Sequence, residues 1–439
     1  MLIPSNSRRA DVPTAGWTSS PNVRGTTDIL FSCFLTIFLC CWVTLCVNVP
    51  PPGSGFWDRL KRKILVFFET LSGPEFIFHT SLSQYLTAKK SVKEFEKVGF
   101  KNWTIKHGFF CCAGGFRLNP PDFVSFPLNM DQIHYLVCHG YIDYDKVHLD
   151  LEDIEDRNKF DSLSRIITSV QLTWFLVNVI ARSVAGLSVT TLELSTCGFI
   201  FCTLGSYLAW RHKPQDVTRS VELVLKNNKT MADILTEAGP IAALPYEYTP
   251  MDFARSEPHW FGVLWGHFMN RMMPKFLGIR LHPRTRPVDK IWDDEFGKLP
   301  PKYNALLAFV QFGFATIHMA AWNSHFPTKV EQFLWRLSTL YVLSAVMATW
   351  IVLSVTFEVW PRVKQRFEGK NPEKQRRKKG RWRTIAPLPT RTSYPAIPIA
   401  LIYFAARSYI LVEDIVNLRS LPQSTYVTVD WNTFLPHFS

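Results

Sequence analysis

Residues Lys159 to Asp216 decide the fold, and they read KFDSLSRIITSVQLTWFLVNVIARSVAGLSVTTLELSTCGFIFCTLGSYLAWRHKPQD. Two apolar runs, Ser162–Ala181 and Leu187–Trp210, are joined by a short turn. A helix needs about 20 apolar residues to cross the hydrocarbon core of a bilayer. Because each run has that length, the stretch predicts a transmembrane helical hairpin.

Three polar side chains interrupt these apolar runs: Gln171, Asn178 and Glu193. A carboxylate at membrane depth costs roughly 3 kcal/mol on insertion scales, and it normally faces a protein interior or a wet cavity. Glu193 is therefore the first candidate for a functional acid. The structural alternative is that Glu193 joins two helices by pairing with Arg182 or Gln171.

The rest of the chain alternates apolar runs with basic connections. The runs predicted to cross the membrane are 29–49, 162–181, 187–210, 306–322, 333–355 and 396–416. Basic clusters at 59–63, 211–213 and 361–391 then all lie on one side, which the positive-inside rule makes cytoplasmic. The fold class is therefore an all-α, polytopic integral membrane bundle of about six helices, with a range of about five to eight.

One further apolar segment, Ile64–Ala88, is interrupted by Glu69, by Gly73-Pro74-Glu75 and by His79. A full crossing here would reverse the side of every later basic cluster. We therefore expect an interfacial or partly inserted helix, and a re-entrant segment or a complete span are the alternatives.

The predicted organisation has six segments. They are a flexible tail at 1–27, an N-terminal membrane region at 28–216, an amphipathic cytoplasmic or interfacial segment at 217–300, a transmembrane hairpin at 301–360, a basic cytoplasmic loop at 361–392, and a last transmembrane helix with its tail at 393–439. No other targeting signal is evident, so we expect a multi-pass protein of the endoplasmic reticulum.

Composition and motifs exclude several functions. The nine cysteines are odd in number and lack C-x-x-C spacing, which favours neither a disulfide scaffold nor a zinc site. The sequence has no nucleotide-binding glycine loop, nucleophile elbow or H-E-x-x-H motif. The loop at 361–391 holds twelve Lys or Arg against two Glu, and we expect it to contact anionic lipid rather than nucleic acid. We expect no metal and no cofactor.

Acids in apolar and aromatic surroundings are the remaining candidates for chemistry: Asp28, Glu75, Glu193, and Asp161 at a span entrance. A carboxylic acid kept protonated in a dry pocket can donate its proton to an alkene or an epoxide. Aromatic faces can stabilise the resulting carbocation. Structural interpretations also exist, because Asp28 can cap a helix and Glu75 can bond to its own turn.

Short motifs between residues 17 and 216 resemble a large family of fungal integral membrane proteins. The motifs are Arg24-Gly-Thr-Thr-Asp-Ile29, Gly73-Pro-Glu75, His107-Gly-Phe-Phe110, Gly114-Gly115-Phe116, Gly140-Tyr-Ile142, Lys159-Phe-Asp161, Gln171 with Trp174-Phe175, Leu192-Glu-Leu194, and Trp210 with Lys213-Pro214 and Asp216. This family is similar to the membrane-bound terpene cyclases of fungal meroterpenoid pathways, of the ascochlorin and macrophorin type. The chain departs from the expected pattern at Cys111-Cys112-Ala113, where more polar residues are expected.

The resemblance implies cyclisation of a prenyl chain on an aromatic core, started by protonation of a terminal alkene or epoxide. The implied site residues are the acids Glu193, Asp28 and Glu75, in that order, and the pocket residues Gln171, Trp174, Phe175 and His107. A lipophilic prenylated substrate would enter from the bilayer, and no diphosphate would leave, so no magnesium is needed. The alternatives are a multi-pass transporter and a non-catalytic membrane scaffold. The oligomeric state is left open.

Overall fold

A computed structural model gives the fold of the protein. It describes residues 13–20, 24–43, 45–157, 162–243, 245–246, 248–255, 285–293, 299–355, 363 and 396–431. Asp161 and, apart from residue 363, the basic loop at 361–391 lie outside the described residues.

The described part of the chain is mostly helical, which confirms that part of the predicted fold class. Its α-helices are α1 (Thr26–Val43), α2 (Phe56–Ser72), α3 (Pro74–Lys97), α4 (Ile105–Cys112), α5 (Met130–Cys138), α6 (Tyr144–Val147), α7 (Leu151–Asp156), α8 (Ser162–Val184), α9 (Thr191–Trp210), α10 (Met231–Ala238), α11 (Pro301–Met319), α12 (Lys329–Ser354) and α13 (Ala396–Val416). Its strands are β1 (Thr14–Ala15), β2 (Phe116–Leu118), β3 (Phe126–Pro127), β4 (Val221–Leu223) and β5 (Leu421–Pro422).

Five helical segments of the described residues are long and apolar enough to cross a membrane. They are Thr26–Val43, Ile166–Val184, Thr191–Trp210, Pro301–Asn323 and Lys329–Ile351. They correspond to five of the six predicted runs. The sixth run forms α13 at its predicted bounds, but this helix carries Arg407, Glu413 and Asp414 and is not among the five.

Helix α9 is the centre of the bundle. It packs against α1, α3, α11 and α13, and its buried residues cover the larger part of its circumference, while Leu208 is exposed on the remaining face. Gly205 lets α3 approach closely, because a Cβ atom there would lie 2.7 Å from the ring of Phe78. A capping box between Thr190 and Glu193 starts the helix.

One end of the bundle, here called the terminal end, joins the first and last described segments to the turn between α8 and α9. Strand β1 pairs antiparallel with β5, with Thr14 opposite Pro422. The buried guanidinium of Arg182 donates hydrogen bonds to the carbonyl oxygens of Val427 and Thr425, both at 2.8 Å. These contacts place residues 13–20 and 417–427 at the same end.

The opposite end, here called the globular end, carries a separate core that the sequence did not predict. It is built mainly from residues 95–154 and 217–253, which the sequence analysis assigned to the N-terminal membrane region and to the amphipathic segment. Strand β2 lies between β3 and β4, and it pairs in parallel with β4, so that Phe116 lies opposite Val221. The two segments are separated in sequence by the α8–α9 hairpin, and they meet because that hairpin returns the chain to its starting end.

Residues 56–97 form two helices rather than one interfacial helix. Helix α2 starts at the globular end, where Arg62 donates to the carboxylate of Asp293 at 2.8 Å, and α3 returns to that end, where Phe95 enters the globular core. The chain reverses at Gly73-Pro74, because Pro at the first position starts α3 and cannot continue α2. Ser72–Glu75, here called the hairpin tip, lies inside the bundle. A chain that reverses in this way has the shape that the re-entrant alternative requires.

Candidate functional site

The hairpin tip meets a group of buried polar side chains, here called the polar cluster: Glu75, His318, Tyr403 and Arg407. Each is at most 9% exposed. They come from α3, α11 and α13. Tyr403 and Arg407 are four residues apart on α13, so they share one face of that helix. Charged and polar groups buried together are expensive to desolvate, so such a cluster is a candidate functional site.

Glu75 has one engaged and one unengaged oxygen. The hydroxyl of Tyr403 donates a hydrogen bond to Oε1 at 2.5 Å. Oε2 accepts no hydrogen bond from any other residue of the described chain. The residue is 2% exposed, and no Lys, Arg or His among the described residues forms an ion pair with it. The sequence interpretation that Glu75 bonds to its own turn is replaced by this contact with the last helix.

Arg407 is held mainly by rings and backbone. Its guanidinium lies 4.5 Å from the centre of the Phe314 ring, and its Nη1 lies 3.4 Å from Nε2 of His318. His318 in turn contacts the carbonyl oxygen of Phe314 through Nδ1 at 2.9 Å. Nη2 of Arg407 has no hydrogen-bond acceptor in the described part of the chain. The cluster therefore contains two buried atoms without a hydrogen-bond partner among the described residues. Oε2 of Glu75 can accept a hydrogen bond or carry a proton, and Nη2 of Arg407 can donate a hydrogen bond.

Glu193, the first acid suggested by the sequence, has both oxygens engaged. Oε1 forms an ion pair with Arg24 at 2.5 Å, and Oε2 accepts hydrogen bonds from the backbone N–H and the hydroxyl of Thr190 at 2.9 and 3.0 Å. The partner is Arg24, and not Arg182 or Gln171 as the structural alternative proposed. This geometry holds the side chain at the N-terminus of α9 and leaves neither oxygen without a partner.

Asp28 lies in the first turn of α1, at the terminal end. Its Oδ2 accepts hydrogen bonds from the hydroxyl of Ser20 at 2.5 Å and from the backbone N–H of Gly25 at 2.8 Å. Asp28 is therefore the third residue of α1 and not its N-cap, and its bond from the N–H of Gly25 is the reciprocal contact of a capping box. Asp28 and Glu193 flank Arg24, whereas Glu75 belongs to the polar cluster, so the structure does not bring the three acids together.

The pocket residues suggested by the sequence are dispersed. Phe175 is buried in the packing between α1, α8 and α9, and Gln171 is half-buried on the same helix. Trp174 is 53% exposed and its ring stacks on Trp431 with 5.3 Å between centres. None of the three belongs to the polar cluster.

His107 is a structural residue of the globular end. Its Nδ1 accepts a hydrogen bond from the backbone N–H of Thr104 at 3.2 Å, and its Nε2 lies 2.7 Å from the carbonyl oxygen of Leu149. This pattern assigns the proton to Nε2. Burial lowers the pKa of His107 below its ordinary value. The ring is therefore neutral, and both of its nitrogen atoms are engaged by neighbouring residues of the globular end.

The globular end is joined to the bundle by a buried lysine. Nζ of Lys213 donates to the carbonyl oxygen of Cys46 at 2.6 Å and to side-chain oxygens of Asn48 and Gln84, both at 2.9 Å. It also lies 4.8 Å from the ring centre of Trp210. Burial lowers the pKa of Lys213. The ammonium uses its three donors, so this motif residue serves as a structural link.

A cleft of about 270 Å³ lies at the globular end and is lined by Asp122, Met231 and Tyr246 among others. None of its lining residues belongs to the polar cluster. In the described residues, no group of three or more His, Cys, Asp or Glu side chains is arranged to hold a metal ion.

Sequence reasoning missed Tyr403 and Arg407. A signal was present, because an arginine in the middle of an apolar run is expected to face a protein interior. Its partners were not visible, since Arg407 and the hairpin tip are more than 300 residues apart. The spacing of Tyr403, Arg407 and Asp414 at four and seven residues is the pattern of one buried helix face.

Comparison with known proteins places the chain in a family. A family model described as a family of unknown function (DUF8562) matches residues 1–244 and 301–438. The chain belongs to this family. No curated protein and no solved structure matches the chain.

Proposed function

We propose that the chain is a multi-pass integral membrane protein, with six crossings and the α2–α3 hairpin entering the bilayer from the globular end. Large apolar side chains on the outside of the bundle support this, because such surfaces are unfavourable in water. Examples are Phe31, Ile166, Phe309 and Phe333, each at least 60% exposed. By the positive-inside rule, the basic clusters support a cytoplasmic globular end, and the endoplasmic reticulum is the proposed membrane.

Within this membrane the proposed activity is that of a terpene cyclase, which closes rings on a prenylated aromatic substrate by protonating it. The observation that carries the proposal is the buried, unengaged Oε2 of Glu75. A carboxyl group without a paired cation in a dry interior takes up a proton rather than remain charged. Because Tyr403 donates to Oε1, the proton of Glu75 belongs on Oε2, which makes Glu75 a stronger candidate acid than Glu193.

The proposed step balances without a cofactor. The proton on Oε2 of Glu75 adds to the terminal alkene carbon, and the alkene π electrons form the new C–H bond. The carbocation left behind is attacked by the next double bond, which closes a ring. The last carbocation loses a proton to the Glu75 carboxylate, and the acid is regenerated. The ring of Phe314 holds the guanidinium of Arg407 in place, and Nη2 of Arg407 is available to hold the oxygenated aromatic end.

A second candidate function is transport of a small solute. It is favoured by the helix break at Gly73-Pro74, since discontinuous helices that meet near the middle of a bundle form substrate sites in many transporters. A transporter would move a solute across proteoliposomes and would leave linear prenylated substrates unchanged.

The test uses microsomes that contain the full chain and are supplied with prenylated aromatic substrates in linear and epoxide forms. Glu75→Gln keeps the size of the side chain and removes the acidic proton. We expect a cyclised product from the wild type and at least about a 100-fold loss in Glu75→Gln, the usual contribution of a general acid.

Glu193→Gln is the matched control, and both variants are checked for a monodisperse folded state by size-exclusion chromatography. A cyclised product from Glu193→Gln but not from Glu75→Gln supports the assignment of Glu75 as the acid. Full activity in Glu75→Gln transfers the role of the acid to Glu193 or Asp28. Folded wild-type protein that cyclises none of the substrates contradicts the proposed enzyme.

A further inference from the structure

A second group of buried oxygen atoms lies between α9 and the end of α13, closer to the terminal end than the polar cluster. Its members are Thr191, Ser195, Asp414 and Asn417, here called the oxygen group, and each is at most 2% exposed. Thr191 and Ser195 are one turn apart on α9, and Asp414 and Asn417 are one turn apart on α13 and the turn that follows it. The two pairs therefore face each other across one helix contact.

The contacts inside the oxygen group leave acceptors unused. The hydroxyls of Thr191 and Ser195 face the carboxylate of Asp414. Nδ2 of Asn417 donates to Oγ1 of Thr191 at 3.4 Å, while Oδ1 of Asn417 has no hydrogen-bond partner among the described residues. A buried amide oxygen without a donor costs about 1–3 kcal/mol. The group thus presents more oxygen acceptors than the described residues supply donors.

The charge of the oxygen group is also uncompensated at short range. No Lys, Arg or His of the described chain forms an ion pair with Asp414. Arg407 lies seven residues earlier on the same helix, a rise of about 10 Å. The C-terminus of α13 and the N-terminus of α9 contribute partial charges of opposite sign, so together they do not compensate a carboxylate. A buried carboxyl group in this setting is stabilised by a proton or by a cation, and Asp414, unlike Glu75, lies among further oxygen atoms that can ligate a cation.

We propose that the oxygen group binds one small monovalent cation, with sodium as the representative ion. Hard cations take oxygen ligands, and carboxylate, amide and hydroxyl oxygens are all present. The ligating set contains one carboxylate, which balances one positive charge and therefore favours a monovalent ion over a divalent one. The cation joins α9 to α13 near the terminal end. This inference does not rest on the proposed cyclase activity.

The experiment measures the thermal unfolding midpoint (Tm) of the full-length protein in detergent, in sodium chloride and in choline chloride at equal ionic strength. A ligand that binds the folded state raises Tm with its concentration. We expect a saturable rise in Tm with sodium for the wild type and none for Asp414→Asn. Glu413→Gln is the matched control, because its side chain is equally buried but bonds to Tyr409, and it should keep the full rise.

Ser195→Ala and Asn417→Ala remove one oxygen ligand each and keep the carboxylate, so they test the site even where Asp414→Asn fails to fold. Each should move the half-saturating sodium concentration upward. Equal Tm values of the wild type in sodium and choline, a rise retained by Asp414→Asn, or a larger rise with calcium chloride at the same ionic strength would overturn the proposal.

Discussion

Lys213→Met tests whether a buried ammonium links the globular end to the bundle. The change removes the donor to the Cys46 carbonyl and to the Asn48 side chain, while Gln84 keeps its hydrogen bond from Trp210. Each buried acceptor left without a donor costs about 1–3 kcal/mol. The buried charge and its own desolvation cost disappear too, so the net loss is about 2–4 kcal/mol.

The matched control is Lys63→Met. Lys63 pairs with Asp216 at 2.6 Å, but the two side chains are 26% and 29% exposed, and such pairs contribute about 0–1 kcal/mol. Tm is measured for both variants in the same detergent. An unfolding entropy of about 2.1 cal/mol/K per residue gives about 1 °C for each kcal/mol in a chain of 439 residues. We therefore expect Lys213→Met to lower Tm by about 2–4 °C and Lys63→Met to have a much smaller effect. Equal effects would refute the structural role of Lys213.

Two further predictions concern the globular end. As pH falls through about 6.5, unfolded His107 takes up a proton while folded His107, with its lowered pKa, stays neutral. The free energy of unfolding should therefore fall as the pH is lowered from about 7 to 5. This pH dependence should be weaker in His107→Gln and unchanged in His139→Gln. An unchanged pH dependence in both variants would contradict the role of His107. Gly108→Ala places a Cβ atom 2.9 Å from the backbone of Ala88 and should cost about 1–3 kcal/mol in urea unfolding, whereas Gly55→Ala, with a 3.7 Å neighbour, should cost little.

The sequence predicted the bundle helices well because a membrane-length apolar run is a local signal. Helix α13 has the predicted bounds, and α8 extends from 162 to 184 where 162–181 was expected. The globular end was not predicted, because its core joins residues from two segments and depends on a parallel pairing of Phe116 with Val221. Such pairing is a property of the folded chain.

The candidate site was only partly predictable for the same reason. Glu75 was among the expected acids, but its contact with Tyr403 joins positions 328 residues apart. Glu193 was identified as a costly buried carboxylate, and the sequence could not reveal that Arg24 would compensate it from 169 residues away. A sequence shows which side chains require partners, and the fold determines the partners.

The central claim is that this bundle spans a bilayer with the globular end in the cytoplasm and the terminal end on the other side. N-glycosylation in microsomes measures this directly. Arg8→Thr creates the acceptor sequence Asn6-Ser7-Thr, and Phe434→Thr creates Asn432-Thr433-Thr; in the sequence, these sites flank the two segments that form the terminal end. The natural acceptors at Asn102 and Asn228 belong to the globular end.

The account predicts that the wild type carries no glycan and that each of the two substitutions adds one glycan, removable by an endoglycosidase. A glycan on Asn102 or Asn228 of the wild type, identified by its loss in Asn102→Gln or Asn228→Gln, would contradict the account.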